Sequence, residues 1–320
     1  MAIVGFVGLL FVIVFAAYLL SRGAEVLAEK WGFNIVGSVI LALVTTLPEY
    51  AFVFWASVKG EYQMAIGSAI GSCTLLITLG YGLVIWLATS RLGRKPVEEI
   101  RLSKATRVDA VYLLVTGMIA FIFIAGDNAL SLLEGIILTV IFAGYVYNVF
   151  RVGNAHAHER PHNLPRKVVV RAICELVLGG AVIYFASEPF VDSMIRIAKL
   201  MRISPVVVAI ILGPLASEMP EKLTAYMVVL KNGANAELSI CNFLGSKVNH
   251  NSLLLAVMPF VAHFKGHDIV RNLMSVNLVV MTVLTVVVSV LLARGRLRKQ
   301  QGIWLIAAYV AAMIVAVQTN

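Results

Sequence analysis

Residues 43–49 read Leu-Val-Thr-Thr-Leu-Pro-Glu, and residues 215–221 read Leu-Ala-Ser-Glu-Met-Pro-Glu. Both stretches lie in apolar segments and place a hydroxyl residue ahead of an apolar residue, a proline and a glutamate. Because proline has no backbone N–H and crowds the preceding turn, nearby carbonyl groups lose their helical partners. Carbonyl oxygens freed beside a carboxylate in a membrane can bind a cation. The duplicated stretch therefore predicts a cation site built from two matching parts of the chain.

The composition is that of an integral membrane protein. Of the 320 residues, 60% are hydrophobic and 13% are charged, and the mean hydropathy is +0.91, whereas about 25% of residues are charged in soluble domains. The formal charge of +9 comes mainly from short loops without interleaved aromatic residues, so it indicates membrane orientation and no nucleic-acid partner. The three cysteines are far apart in apolar segments, which favours buried thiols over disulfides or a metal site.

The apolar segments predict an all-α polytopic membrane protein with ten transmembrane helices, because each segment is near the roughly 20 residues that cross a bilayer. Lysine and arginine are concentrated in alternate loops, with 17 in the odd-numbered loops and six in the even-numbered loops. This bias predicts a multi-pass protein of the cell membrane with cytoplasmic odd loops and extracellular termini. The predicted spans are 2–20, 33–57, 64–90, 108–126, 129–150, 168–187, 204–230, 237–261, 273–293 and 302–318.

The duplicated stretch belongs to a longer internal repeat. Glu49 and Glu221 are 172 residues apart, and Ser72 and Ser246 are 174 apart, so the register is kept with two one-residue insertions. Each copy is the second helix of a set of five, and because five is odd the second set enters the membrane from the opposite side. The sequence therefore predicts two inverted-topology repeats, 1–150 and 168–320, joined by a cytoplasmic linker at 151–167. This architecture is typical of secondary transporters, whose ion sites lie where discontinuous helices meet at mid-membrane.

Polar residues recur at helical spacing on the third and eighth predicted spans. Ser68 and Ser72 lie at i, i+4 on the third span. On the eighth span the spacing i, i+4, i+7, i+8 is occupied by Asn242, Ser246, Asn249 and His250. In lipid such stripes face the protein interior or water. With Glu49 and Glu221 they offer hard oxygen donors, which Ca2+ accepts at about six to eight coordination.

Two carboxylates at the centre of a membrane need compensating positive charge. Glu49 and Glu221 must therefore each be protonated, sodium-bound or metal-bound, so one divalent ion or its monovalent substitutes must occupy the site before it can reorient. Lys247 could act as a built-in cation, and Lys247 and His250 could couple transport to protons.

Structural interpretations of several residues stay open. The serines could allow close helix packing instead of binding an ion. Lys222 and Lys247 could form salt bridges with Glu218 or Glu221. His156, His158, Glu159 and His162 in the central loop could form a regulatory metal site. In this polar segment we expect a solvated linker and not a metal site.

The chain resembles the cation/calcium exchanger superfamily, most closely the membrane domain of archaeal and bacterial sodium/calcium exchangers. Both repeats of that family carry Gly-Thr-Ser-Leu-Pro-Glu, followed by a helix with Gly-Asn-x-x-Gly-Ser. In this sequence residues 44–49 read Val-Thr-Thr-Leu-Pro-Glu, and residues 67–72 read Gly-Ser-Ala-Ile-Gly-Ser. In the second copy residues 216–221 read Ala-Ser-Glu-Met-Pro-Glu, and residues 241–246 read Cys-Asn-Phe-Leu-Gly-Ser. The resemblance covers nearly the whole chain.

The resemblance implies an antiporter that exchanges Ca2+ for Na+ or H+ by alternating access, with no cofactor besides the transported ions. In the family the glutamate of each repeat and nearby hydroxyl and carbonyl oxygens bind calcium, and Na+ or protons compete for the same site. The expected ligands are Glu49, Glu221, Thr45, Thr46, Ser217, Ser68, Ser72, Asn242 and Ser246. The residues expected to modulate the site are Glu218, Lys247, Asn249 and His250.

The sequence departs from the family pattern at the third and eighth spans. The family has an amide or carboxylate four residues after each Gly-Ser serine, where this chain has Leu76 and His250. Ser68 replaces the first asparagine, and Glu218 is an additional carboxylate. The resemblance favours Na+ as the coupling ion, whereas Leu76, His250 and Lys247 favour H+. We expect Na+, with an H+/Ca2+ exchanger as the alternative.

Two other classes of membrane protein are alternatives to an antiporter. A passive divalent-cation channel is the alternative, and its flux would not respond to an opposing Na+ or H+ gradient. An intramembrane enzyme would need a nucleophile or metal triad or paired aspartate motifs within the apolar spans, and these motifs are not present there. We therefore expect a transporter and not an enzyme, functional as a monomer, whose partners are the transported cations and the lipid bilayer.

Overall fold

The computed structural model describes residues 2–31, 43–154 and 164–319. The side chains of residues 2, 3, 28–31, 152–154, 216, 220 and 221 do not belong to that description. The start of the second predicted span, the histidines of the central loop and the side chain of Glu221 therefore lie outside the described residues.

The described chain is mostly helical. Two five-residue π-helical segments, Leu76–Gly80 and His250–Leu254, each continue one α-helix into the next, and a short 3₁₀ turn covers Gly233–Asn235. The α-helices are α1 (Ala2–Trp31), α2 (Leu47–Val58), α3 (Tyr62–Leu75), α4 (Tyr81–Thr89), α5 (Lys104–Asp127), α6 (Leu132–Asn154), α7 (Arg166–Met201), α8 (Pro205–Lys231), α9 (Ala236–Asn249), α10 (Leu255–Phe264), α11 (Val276–Ala293) and α12 (Lys299–Gln318).

Several helices have the length and composition of membrane spans. Large apolar side chains such as Phe11, Phe15 and Phe185 are exposed on the outside of the helices, as expected for a surface solvated by lipid. Within the described residues, seven segments are long and apolar enough to cross a bilayer, namely Val4–Leu27, Tyr62–Thr89, Lys104–Asp127, Leu132–Arg151, Arg166–Met201, Val276–Ala293 and Lys299–Gln318. The prediction of a helical, polytopic membrane protein is confirmed.

Some helices differ from the predicted spans in length and regularity. The predicted third span contains α3, a π-helical segment and α4, and the eighth contains α9, a π-helical segment and α10. α1 and α7 are much longer than the predicted spans 2–20 and 168–187, and α7 continues through Pro189. Hydropathy underestimates these two helices because charged residues near their C-terminal ends, such as Glu25 in α1 and Arg196 in α7, end the apolar run before the helix ends.

The two copies of the proline motif differ in backbone structure. In the first copy Thr46 forms a turn, and α2 begins at Leu47 with Pro48 in its first turn. In the second copy α8 is continuous from Pro205 to Lys231, so the predicted discontinuity is absent there. Proline removes one helical hydrogen bond without ending a membrane helix when neighbouring helices hold the backbone in place.

Four short strands connect loops that are distant in sequence. β1 (Ile100–Arg101) pairs with β4 (Arg296–Leu297), and β2 (Ala129–Ser131) pairs with β3 (Ile269–Arg271), both antiparallel. The first ribbon joins two odd-numbered predicted loops, and the second joins the start of the predicted fifth span, 129–150, to the eighth loop. Pairings of two or three residues carry no hydrophobic period, which is why the sequence did not predict them.

A close helix contact brings the two motif regions together. Gly67 and Gly71 are four residues apart on α3, the spacing of small residues where membrane helices pack tightly. A Cβ at Gly71 would lie 2.2 Å from the carbonyl oxygen of Ile210 on α8. A Cβ at Gly213, also on α8, would lie 2.7 Å from Oγ of Ser68. The small residues therefore place the serine of the third span directly against the helix that carries the second motif.

Candidate functional site

Glu49 occupies the first turn of α2, which Thr46 and Pro48 begin. A helix N-terminus favours a negative side chain, because its first N–H groups lack helical partners. The side chain of Glu49 is 1% exposed, and neither carboxylate oxygen has a hydrogen-bond partner in the part of the chain that the structure describes. Burying a carboxylate without compensation costs several kcal/mol. Glu49 therefore requires a proton or a cation beside it.

Glu49 faces a small cavity between the two motif regions. The cavity has a volume of about 10 Å³, which is roughly the room that one water-sized particle needs. Its polar wall includes Ser68, Ser187 and Ser217. Ser187 and Ser217 each donate their hydroxyl hydrogen to the carbonyl four residues earlier, at 2.7 and 3.1 Å. The lone pairs of these oxygens stay able to accept hydrogen bonds or to bind a cation.

Glu218 is held by two lysines, and we call Glu218, Lys222 and Lys247 the lysine cluster. None of the three residues is more than 3% exposed. The Lys222 ammonium donates to Oε2 of Glu218 from one turn further along α8, and the Lys247 ammonium on α9 donates to Oε1 at 3.2 Å. The cluster carries a formal charge of +1 beside Glu49. The sequence analysis left open whether Lys222 and Lys247 form salt bridges with Glu218 or Glu221, and the structure shows both lysines bound to Glu218.

The lysine cluster adjoins a group of potential ligands from three elements. Glu49, Glu218 and His250 are all buried, and one ligand atom of each lies within 4.8 Å of the others. These residues belong to α2, to α8 and to the second π-helical segment, so the group joins the N-terminal and C-terminal parts of the chain. At this separation a single cation can contact several of the side chains.

The tautomer of His250 follows from its contacts. Its Nδ1 lies 2.6 Å from the carbonyl oxygen of Ser246, and because a carbonyl oxygen only accepts, Nδ1 carries a hydrogen. Its Nε2 faces Oε1 of Glu218 at 3.4 Å, and no described donor binds Nε2. In a neutral imidazole Nε2 is then an acceptor. Nε2 of His250 and both oxygens of Glu49 are thus buried acceptors in one small region, which a proton or a cation would stabilise.

Asn249 connects α9 to the start of α2. It is fully buried, its Nδ2 donates to Oγ1 of Thr46 at 2.9 Å, and its Oδ1 accepts from the hydroxyl of Tyr50. Sequence reasoning missed Tyr50, although this residue directly follows Glu49 and lies one helical turn after Thr46. The pair of contacts fixes the first turn of α2, and therefore positions Glu49.

The other predicted ligands have varied surroundings. Glu49, Ser68 and Ser217 line the cavity. Thr46 binds Asn249, and Ser246 offers its carbonyl to His250. The predicted ligands that are not among the described cavity-lining residues are Thr45, Thr46, Ser72, Asn242 and Ser246. Glu218, which the sequence assigned to modulation, lies beside Glu49, whereas the side chain of Glu221 is outside the described part of the chain.

Comparison with known proteins identifies the family. The family model described as "Sodium/calcium exchanger protein" matches residues 1–151 and 172–318. The chain belongs to this family. The sodium/calcium exchanger family consists of membrane antiporters that carry cations, so the resemblance found in the sequence is confirmed, and membership supports a transporter and not an enzyme.

Individual relatives of this exchanger family member are distant but nearly full-length. The chain is 24% identical over 293 residues to an uncharacterized membrane protein of Methanocaldococcus jannaschii, covering 91% of this chain and 90% of the relative. The crystal structure of the H+/Ca2+ exchanger CAX has a TM-score of 0.80 at 18% identity, covering 99% of this chain and 86% of that one. A structure of the sodium-calcium exchanger NCX_Mj has a TM-score of 0.68 at 24% identity, covering 98% and 99%. These structural similarities show a shared fold.

Proposed function

We propose that the protein is a secondary antiporter that exchanges Ca2+ for a monovalent cation across the cell membrane by alternating access. The observation that carries this proposal is that both oxygens of Glu49 and Nε2 of His250 are buried beside Glu218 without a described hydrogen-bond donor of their own. Protons or cations stabilise such acceptors within a membrane, and the formal charge of +1 on the lysine cluster leaves these three acceptors without a described hydrogen bond. Because a divalent ion and its monovalent substitutes satisfy the same need, binding of one excludes the other and their movements become coupled.

Glu49 is the principal proposed calcium ligand, since its carboxylate faces the cavity with the oxygens of Ser68 and Ser217. Carboxylate, hydroxyl and carbonyl oxygens form the donor set that Ca2+ prefers, and this chemistry needs no cofactor. Glu218, Lys247, Asn249 and His250 modulate the site. The further proposed ligands, which rest on the sequence motif, are Glu221, Thr45, Thr46, Ser72, Asn242 and Ser246.

The proposed architecture is ten transmembrane helices in two inverted repeats, 1–150 and 168–320, with the linker at 151–167. A 14-residue helix followed by a five-residue π-helical segment occurs in each half, as α3 with Leu76–Gly80 and as α9 with His250–Leu254. π-helical turns are rare and are frequently found at functional sites. Their recurrence beside both motif helices supports a duplicated unit whose halves rock against each other during transport, within a single protomer.

We propose that the odd-numbered loops face the cytoplasm and that both termini are extracellular, on the basis of the charge bias. The test uses a Cys174→Ser background, because Cys174 is an exposed cysteine, with either Glu98→Cys in the third loop or His267→Cys in the eighth. A membrane-impermeant maleimide is expected to label His267→Cys in intact cells and Glu98→Cys only after permeabilisation. The reverse pattern would contradict this orientation.

The monovalent ion is Na+ or H+. One structural neighbour is an H+/Ca2+ exchanger and another is a sodium-calcium exchanger, and the sequence motif favours Na+.

The proposed exchange is tested by calcium-45 uptake into proteoliposomes that contain the wild-type protein. Three internal conditions are compared, namely Na+, choline at the same concentration, and choline with an imposed pH gradient. Uptake that requires internal Na+ identifies Na+/Ca2+ exchange, and uptake driven by the pH gradient alone identifies H+/Ca2+ exchange. Uptake that is indifferent to both gradients would contradict an antiporter and indicate a channel.

A further inference from the structure

Lys247 covers one particular oxygen of Glu218. Oε1 lies 3.2 Å from the Lys247 ammonium and 3.4 Å from Nε2 of His250, whereas Oε2 is bound by Lys222. Lys222 is on the same helix as Glu218 and moves with it. Lys247 comes from α9, so its contact with Glu218 can break when α8 and α9 change their relative position.

The matching place in the first half of the chain holds no charged group. Cys73 is the twelfth of the 14 residues of α3, and Lys247 is the twelfth of the 14 residues of α9. The Cys73 side chain is buried, with its Sγ 3.5 Å from Oδ1 of Asn251. The helix pair therefore packs without a lysine in one half, and the ammonium group is an addition specific to the other half.

A buried ammonium group must keep a negative partner or bear a large desolvation cost. Lys247 is fully buried, and such a group costs several kcal/mol when unpaired. A merely structural ion pair is often replaceable by apolar side chains without loss of stability. The placement of Lys247 at the carboxylate beside Glu49 and His250 instead gives the protein its own cation at the proposed ion site.

We infer that Lys247 is a tethered counter-cation. Its ammonium occupies Oε1 of Glu218 when no divalent ion is bound, and a divalent cation that contacts Glu49 and Glu218 displaces it. The tethered charge takes a place that a free monovalent ion would otherwise fill. The protein therefore exchanges each divalent cation for one fewer monovalent cation than it would without Lys247, an inference that rests on the proposed exchange function.

The number of coupled ions can be measured as an equilibrium accumulation ratio. Proteoliposomes receive a tenfold gradient of the monovalent ion that drives wild-type uptake, and valinomycin with equal K+ on both sides holds the membrane potential at zero. Under these conditions each additional coupled ion raises the final calcium-45 ratio about tenfold. We expect Lys247→Met to reach a ratio about tenfold higher than the wild type.

Two matched variants separate charge from structure. Lys247→Arg keeps the positive charge, and the double variant Glu218→Gln/Lys247→Met removes both charges of the pair and leaves the net charge unchanged. Both are expected to reach the wild-type ratio, whatever their rates. Loss of a purely structural ion pair would lower the yield or the rate, but it would not change a ratio that depends only on the number of coupled ions.

The outcomes distinguish this inference from the proposed function. An unchanged ratio in Lys247→Met would overturn the tethered counter-cation and leave exchange intact, whereas no gradient-driven uptake by the wild type would overturn the exchange itself. If Lys247→Met does not accumulate in the membrane, Glu218→Gln is measured instead. It removes the negative charge of the pair, whereas Lys247→Met removes the positive charge. The freed ammonium then competes at Glu49, and the ratio is expected to fall about tenfold; an unchanged ratio in this variant would also overturn the inference.

Discussion

Glu49→Gln is expected to abolish gradient-driven calcium uptake, with a fall of at least about 100-fold in its initial rate. The substitution keeps the size of the side chain, but it removes the charge that a cation stabilises and adds an amide donor to a region of acceptors. Removal of one partner from a buried charged pair leaves the other charge uncompensated and costs about 3–5 kcal/mol. A loss of about 3 kcal/mol corresponds to a factor of more than 100 in binding.

The measurement is the initial rate of calcium-45 uptake at equal amounts of reconstituted protein, with size-exclusion chromatography to show that the variant is folded. Glu98→Gln is the matched control, because Glu98 is an exposed carboxylate in a loop, and its rate is expected to equal that of the wild type. Uptake by Glu49→Gln at a rate within a few-fold of the wild type would exclude Glu49 as the principal ligand.

Hydrophobic segments and loop charges were sufficient to predict a helical membrane protein, because lipid leaves few alternatives for an apolar span of this length. The same signals could not predict where the helices change their winding. The π-helical segments Leu76–Gly80 and His250–Leu254 differ in composition, since the first has one polar residue and the second has three. Their geometry depends on the helices that pack against them, which no local pattern records.

Sequence patterns could predict only part of the candidate site. Glu49 was identifiable because a proline and a carboxylate are unusual within an apolar segment. Glu218 and Glu221 are three residues apart, so both lie near one face of α8, and spacing alone could not decide which approaches Glu49. Glu218 is held near Glu49 by contacts with Lys247 and His250, which are distant from it in sequence. Helix-to-helix contacts of this kind are invisible to a periodicity argument.

Gly71→Ala is expected to destabilise the protein by about 1–3 kcal/mol, the usual cost of overpacking a buried contact. We expect its Tm to fall by about 5 °C. The added Cβ would lie 2.2 Å from the carbonyl oxygen of Ile210 and 2.7 Å from its Cα. Both atoms belong to the backbone of α8, so a side-chain rotation cannot relieve the overlap. The helix itself has to move away from α3.

The matched control is Gly144→Ala on α6, where an added Cβ would have no neighbour within 4 Å among the described atoms. There we expect an unchanged or slightly higher Tm, because alanine favours a helix by up to about 1 kcal/mol over glycine. The measurement is tryptophan fluorescence of the detergent-solubilised protein during heating. Equal Tm values for the two variants would contradict the close contact.

The same displacement should also reduce transport, for a reason that differs from the effect of Glu49→Gln. α8 carries Ser217 and Glu218, so a shift of this helix away from α3 separates both residues from Glu49 and Ser68. Gly71→Ala is therefore expected to lower Tm and calcium uptake together, whereas Glu49→Gln lowers uptake in a protein that stays folded. The combination of the two measurements separates a residue that binds the ion from a residue that holds the two motif regions in contact.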